Sequence, residues 1–154
     1  MPASDLTRFV EVHGDHARAV AEIRDGRKTS HWMWYVFPQI AGLGGSFVSR
    51  RYAIGDLDEA RDFLTHPILG PDYVRIVGEV WRQVVEGDVA VHALFGSPDD
   101  AKLVSSLTLF AGVARSLDEP TLTTFVERAD DILRTAATQG LGRCAVSEAF
   151  LEGA

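Results

Sequence analysis

The chain has 154 residues, 46% hydrophobic and 24% charged, with a formal net charge of −7. That balance describes a single globular domain with room for an apolar core and excludes a disordered polar chain. The single cysteine, Cys144, excludes an intrachain disulfide framework and a four-cysteine zinc site, and the negative field disfavours generic nucleic-acid binding.

No apolar run approaches the roughly 20 residues that cross a bilayer. Met1 to Asp5 lacks the basic and apolar regions of a signal peptide, so the expectation is a cytoplasmic protein without a membrane partner. The charge is uneven. Between Arg24 and Arg51 lie five basic residues and one acid, so this segment is +4 and the remainder −11. A basic island in an acidic protein suggests either a local anion site or a solvated charged rim.

In chain order, Asp5 can cap a first helix whose apolar stripe runs through Leu6, Phe9, Val10, His13, Ala17 and Val20, with Gly26 as its stop. The run His31–Phe37 is too short for periodicity to separate helix from strand, and Pro38, Gly42, Gly44 and Gly45 break it. Asp56 with Glu59 reads as a capping-box variant for a helix that ends before His66-Pro67. Gly70-Pro71 opens another helix, with Val74, Val77, Trp81 and Val84 inward and Gly87 as its end.

Ser97-Pro98-Asp99-Asp100 is the clearest helix start, followed by Leu103, Leu107, Phe110 and Val113 on one face. A last helix begins near Glu119-Pro120 and ends at Gly140, and the tail to Ala154 is weakly patterned. No two β-rich runs are joined by a hairpin turn. The expectation is one all-α domain over residues 1–154, a compact bundle of five to seven helices with a glycine-rich loop.

Chemistry is concentrated between Lys28 and Ser46. Two of the three tryptophans, Trp32 and Trp34, sit beside a cation, a hydroxyl, an imidazole and a carboxamide, with a glycine turn after them. The run Gly26-Arg27-Lys28-Thr29-Ser30-His31-Trp32-Met33-Trp34-Tyr35-Val36-Phe37-Pro38-Gln39-Ile40-Ala41-Gly42-Leu43-Gly44 resembles the signature of the Domain of Unknown Function 1810 family. Further matches follow at Arg51–Ile54, Leu57–Ala60, His66–Pro71 and Phe95–Leu103, then Ser105–Phe110, so the resemblance covers about residues 5–115. It implies a small helical fold and brings no settled activity and no catalytic residues. Some members carry the name calpastatin, an inhibitor that is a long disordered chain, unlike this apolar one. The chain departs from the family pattern at His13, where glutamine is usual, near His16, where tyrosine is, and at Asp72-Tyr73, where arginine-leucine is.

Each candidate has a plainer alternative. His31 could be a general acid or base, or a core histidine bonded to backbone. Lys28 could neutralise a phosphate or carboxylate, or be a solvated helix-end cation. Trp32 could stack on a ring, as could Trp34; both could equally be core anchors. In a helix the two point apart by about 200°, in a strand they share a face. Gln39 could hydrogen-bond a ligand. Gly42, Gly44 and Ser46 could form an anion nest from backbone N–H groups, or a plain turn. Asp99, Asp100 and Lys102 could line a site, although helix capping explains the acids. His13 and His16 have a spacing that can hold a metal, yet no third ligand is placed, so no metal and no cofactor is expected.

Together these point to a small anionic, ring-bearing ligand (a nucleotide, an ADP-ribose-like compound or a sugar phosphate), with hydrolysis as the catalytic version and His31 as the acid or base. A fainter likeness points the same way. Ser30-His31-Trp32 followed by Phe37 resembles a segment of helical N-glycosidases acting on ADP-ribose and related compounds, without their glutamate. The alternative is a non-catalytic protein-interaction module, with the aromatic run as core and an apolar surface patch as the contact. Nothing in the sequence sets an oligomeric state.

Overall fold

The structure, a computed structural model, describes residues 5–152. Its described residues form ten α-helices where the sequence predicts five to seven: α1 (Thr7–Val10), α2 (Asp15–Arg24), α3 (Met33–Val36), α4 (Phe47–Arg51), α5 (Leu57–Thr65), α6 (Leu69–Trp81), α7 (Val91–Phe95), α8 (Asp99–Leu117), α9 (Thr123–Thr138) and α10 (Ala145–Glu152). A π-helical turn over Arg82–Glu86 extends α6, and a 3₁₀ turn over Pro120–Leu122 precedes α9. No strand occurs among the described residues; Ile40 and Ile54 make an isolated parallel bridge.

The higher count has a physical reason. Four of the helices span only four or five residues, less than two turns, so no apolar period can announce them. The expected single N-terminal helix is also two. Asp5 does accept the Thr7 N–H at 3.0 Å, but the chain turns over Glu11–Gly14 before α2 begins. The stripe was continuous in spacing while the backbone was not. His13 falls in that turn with its side chain 46% exposed, so it is no core residue.

Other boundaries follow their local chemistry. Asp56 Oδ1 accepts from the Glu59 N–H, and Glu59 reaches back to the Gly55 N–H. After α5, His66 Nδ1 accepts from the N–H groups of Ile68 and Leu69 and so caps α6. Helix α6 starts at Leu69, before the expected Gly70-Pro71. The weakly patterned tail forms α10, whose Ser147 hydroxyl donates to the Ser105 carbonyl at 3.1 Å and docks it on α8.

Helix α8 lies in the middle of the core. It packs against α5, α9 and α10. Leu103, Leu107, Leu109 and Phe110 are fully buried on it. An aromatic chain runs through the centre: Phe9 to Phe63, Phe63 to Phe110, Phe110 to Tyr73, and Tyr73 to Phe125, with ring centres 4.7 to 5.8 Å apart. Such tilted and edge-on pairs add to the area they bury, roughly 0.5–1.5 kcal/mol each. The Tyr73 hydroxyl, wholly enclosed, pairs with the buried Ser106 hydroxyl at 2.8 Å. Among the described residues no helix is long and apolar enough to cross a membrane.

Candidate functional site

The loop between α2 and α3 is held by one carboxylate. Glu22 Oε1 on α2 accepts from the Thr29 N–H at 2.6 Å, the Ser30 N–H at 2.8 Å and the Trp32 indole at 3.0 Å. Burial alone would raise the Glu22 pKa, but these bonds and the Ser30 hydroxyl outweigh it and bring it down to about 2. The Lys28 N–H donates to the Leu94 carbonyl at 2.7 Å, which ties the same loop to α7. Residues 28–32 are thus held by hydrogen bonds from within the chain.

This frame decides where the aromatic run points. The run makes a single helical turn, so Trp32 and Trp34 diverge. Trp32 is 1% exposed and packs on Phe37 and Phe95, whereas Trp34 is half-buried beside the N-terminus of α8. Lys102 Nζ on α8 stands 4.2 Å from the centre of a Trp34 ring, and Lys28 Nζ stands 4.9 Å from Trp32. Both ammoniums share Asp99: Lys28 Nζ is 2.8 Å from Oδ2, and Lys102 Nζ is 3.2 Å from Oδ1. Lys28 also donates to the Ser30 carbonyl at 2.6 Å, and its side chain is only 7% exposed.

Lys28, His31 and Trp32 therefore line one cleft of about 130 Å³, together with Trp34, Asp99 and Lys102. His31 lies exposed at it, and Lys28 lies buried and paired. The other sequence candidates sit beneath or beside the cleft. Gln39 is buried, and its amide NH₂ donates to the carbonyls of Phe37 and Lys102 at 2.9 and 2.8 Å, which pins the loop to α8. Gly42 takes φ +97°, a conformation that favours glycine. Gly44 abuts the ring of Trp34 so closely that a Cβ there would lie 2.8 Å from it. Ser46 caps α4 through its hydroxyl, which accepts from the Ser49 N–H at 3.1 Å.

The basic island is largely answered from within the chain. Arg24 pairs with Glu79, Lys28 with Asp99, and Arg51 with Glu11, so three of its five cations meet acids from outside it. Asp100, which the sequence reads as a cap, accepts from the Ala101 N–H and pairs with His92 at 3.1 Å. A roomier cavity lies elsewhere, about 630 Å³ between α8, α9 and α10. Each arginine on it already has an acid: Arg115 with Asp130, Arg134 with Asp131, Arg143 with Glu148. It offers no surplus charge.

In the sequence alone Trp32 stands as the ligand-binding tryptophan ahead of Trp34, and Lys102 only as a residue that could line a site. The i to i+3 spacing of Asp99 and Lys102 was the available signal, since it places both on one face at the start of α8. Among the described residues no three His, Cys, Asp or Glu side chains converge to hold a metal ion.

Comparison with known proteins agrees with the resemblance read from the aromatic run. The crystal structure of the conserved hypothetical protein Rv1873 from Mycobacterium tuberculosis is similar to this fold, with a TM-score of 0.77, 39% identity and 96% of each chain covered. No curated protein matches. The family model described as a protein of unknown function (DUF1810) matches residues 3–139, nearly the whole chain, and the chain belongs to that family.

Proposed function

We propose that the cleft between α3, α4 and the start of α8 binds a small anionic ligand with a flat ring. The observation that carries this reading is the charge count at Asp99. Two ammoniums share one carboxylate, so the cleft keeps one surplus positive charge, next to a half-buried indole. Lys28 is enclosed and matched. Lys102, more exposed and already placed over Trp34, is the cation free to turn towards an anion. Trp34 offers the stacking face.

Size limits what enters. At about 130 Å³ the cleft is smaller than the roughly 300–1,000 Å³ of sites that enclose a whole drug-sized ligand. One ring or one phosphate-bearing end fits, and the remainder of a nucleotide or ADP-ribose-like compound stays outside. His31 at the rim is then the group in reach of the emerging part, and in the hydrolytic version it is the acid or base. Gln39, Gly42, Gly44 and Ser46 act by building the wall that holds Trp34 rather than by touching the ligand.

A thermal-shift series with AMP, ADP-ribose and ribose 5-phosphate, against inorganic phosphate and chloride, tests the reading. Binding to the folded state raises the melting temperature by mass action, worth about 2.7 kcal/mol at a hundredfold excess over Kd. The expected result is a rise with at least one ring-bearing anion that Lys102→Ala and Trp34→Leu remove. No rise with any compound, or a rise untouched by both variants, refutes it.

A second reading, the protein-interaction module, has one observation in its favour. Phe47 on α4 is 73% exposed and its neighbour Val48 is 43% exposed, an apolar pair beside the same cleft. Under that reading Lys102→Ala leaves function unchanged and Phe47→Ser abolishes it.

A further inference from the structure

A recess between α1, α2, α3 and α6 holds an unusual polar arrangement. His16 on α2 is 9% exposed, and its Nε2 is buried without a hydrogen-bond partner, alone in this among the side chains of the described residues. Asp72 on α6 faces it, with Oδ1 at 3.8 Å. That is too long for a hydrogen bond and short enough for one interposed group to bond both. The other Asp72 oxygen lies 4.0 Å from Nδ1 of His13, which stands at the rim. The recess has a volume of about 30 Å³, room for one or two water-sized groups. Its walls include the rings of Phe9, Tyr35, Phe63 and Tyr73.

The chemistry of the facing groups selects the occupant. A carboxylate only accepts hydrogen bonds. Burial lowers the His16 pKa against the pull of the Asp72 charge, with Arg75 and His13 adding to the fall, which favours the neutral imidazole with its lone pair on one nitrogen. With that lone pair on Nε2, two acceptors face one gap. The occupant must donate at least two hydrogens, which excludes an anion. A hydroxyl donates one, and a water donates two but leaves the Asp72 charge unanswered. An ammonium donates three, and it also answers the Asp72 charge, whose ion-pair partners are both histidines. Aromatic walls favour a cation further. A metal ion is the poorer fit, because His13, His16 and Asp72, though they share the recess, are not grouped so as to hold one.

We propose that this recess binds the primary ammonium group of a small amine, with Asp72 and His16 Nε2 accepting its N–H bonds inside an aromatic wall. The alkyl part leaves past His13, which is half-exposed. The site is separate from the Trp34 cleft and does not rest on the reading given for it. Tyr35 stands between the two and lines both.

The test uses the full chain with ¹⁵N-labelled histidine, titrated with methylammonium chloride. The expected result is a saturable shift of the His16 ring nitrogens, with potassium chloride at equal ionic strength giving none. Tetramethylammonium, which cannot donate and is too large, should also give none. Asp72→Asn, on an intermediate-exposure position, should weaken binding about tenfold or more, as loss of a bond to a charged group does. His16→Gln, checked by its melting curve, should do the same, read through the His13 resonances. Equal responses to methylammonium, potassium and tetramethylammonium would overturn the proposal and leave a water-filled recess. So would full binding in Asp72→Asn.

Discussion

Lys102 Nζ lies 4.2 Å from the centre of a Trp34 ring while keeping a 3.2 Å contact with Asp99. The cation is therefore held over a half-buried aromatic face of the cleft by a carboxylate that also holds Lys28. Division of labour follows from exposure. Lys28 is enclosed and acts on the fold, whereas in the proposed reading Lys102 exchanges Asp99 for a ligand.

The two lysines should accordingly separate stability from binding. Lys28→Met removes an enclosed partner of Asp99 and should cost about 3 kcal/mol, the lower end for breaking a buried pair, because Asp99 retains Lys102. Lys102→Ala should cost under about 1 kcal/mol, as for a more exposed pair. Urea denaturation of both variants checks this. Equal costs would remove the distinction.

Glu22 should give the protein a specific acid sensitivity. Its folded pKa of about 2 lies below its ordinary value of 4.5, so its contribution is fully present above 4.5 and is lost as the pH falls from there towards 2. Glu22→Gln should destabilise at pH 7 by about 2 kcal/mol, the scale of a hydrogen bond to a charged group. Its disadvantage relative to the natural chain should shrink across that window. Denaturation midpoints at pH 7, 4 and 3 measure it.

Two glycines in the same turn should behave differently. A Cβ on Gly44 would lie 2.6 Å from Ser49 Cβ and 2.8 Å from the Trp34 ring, so Gly44→Ala must displace the stacking wall. Ligand affinity should fall at least tenfold. Gly42→Ala meets no atom within 4 Å but must adopt φ +97°, so it should cost roughly 1–2 kcal/mol of stability and leave affinity within twofold. Calorimetric titration with ADP-ribose and melting curves of both variants separate the effects.

Long elements were legible in the sequence because their caps and stripes agree. Asp56 with Glu59, His66-Pro67, and the acids opening α8 all mark real boundaries. The short helices α1, α3, α4 and α7 were not, since four or five residues carry no period. The candidate cleft was legible as a segment rather than as a set of side chains. Lys28, His31 and Trp32 do meet at one cleft. Sequence spacing could not reveal that Gln39 is taken up by two backbone carbonyls, or that Asp99 arrives from 71 residues further on to hold Lys28. It could not show either that His13, His16 and Asp72 gather at one recess. Such facts belong to tertiary packing.

The most direct test of the cleft reading uses the three indole N–H groups as internal controls. The Trp32 indole is bonded to Glu22 and the Trp81 indole to Asp131. In ¹⁵N-labelled protein titrated with ADP-ribose, the account predicts a saturable shift of the Trp34 cross-peak with those of Trp32 and Trp81 nearly still, and no shift in Lys102→Ala. Three unmoved cross-peaks, or a Trp34 shift that survives in Lys102→Ala, would contradict it.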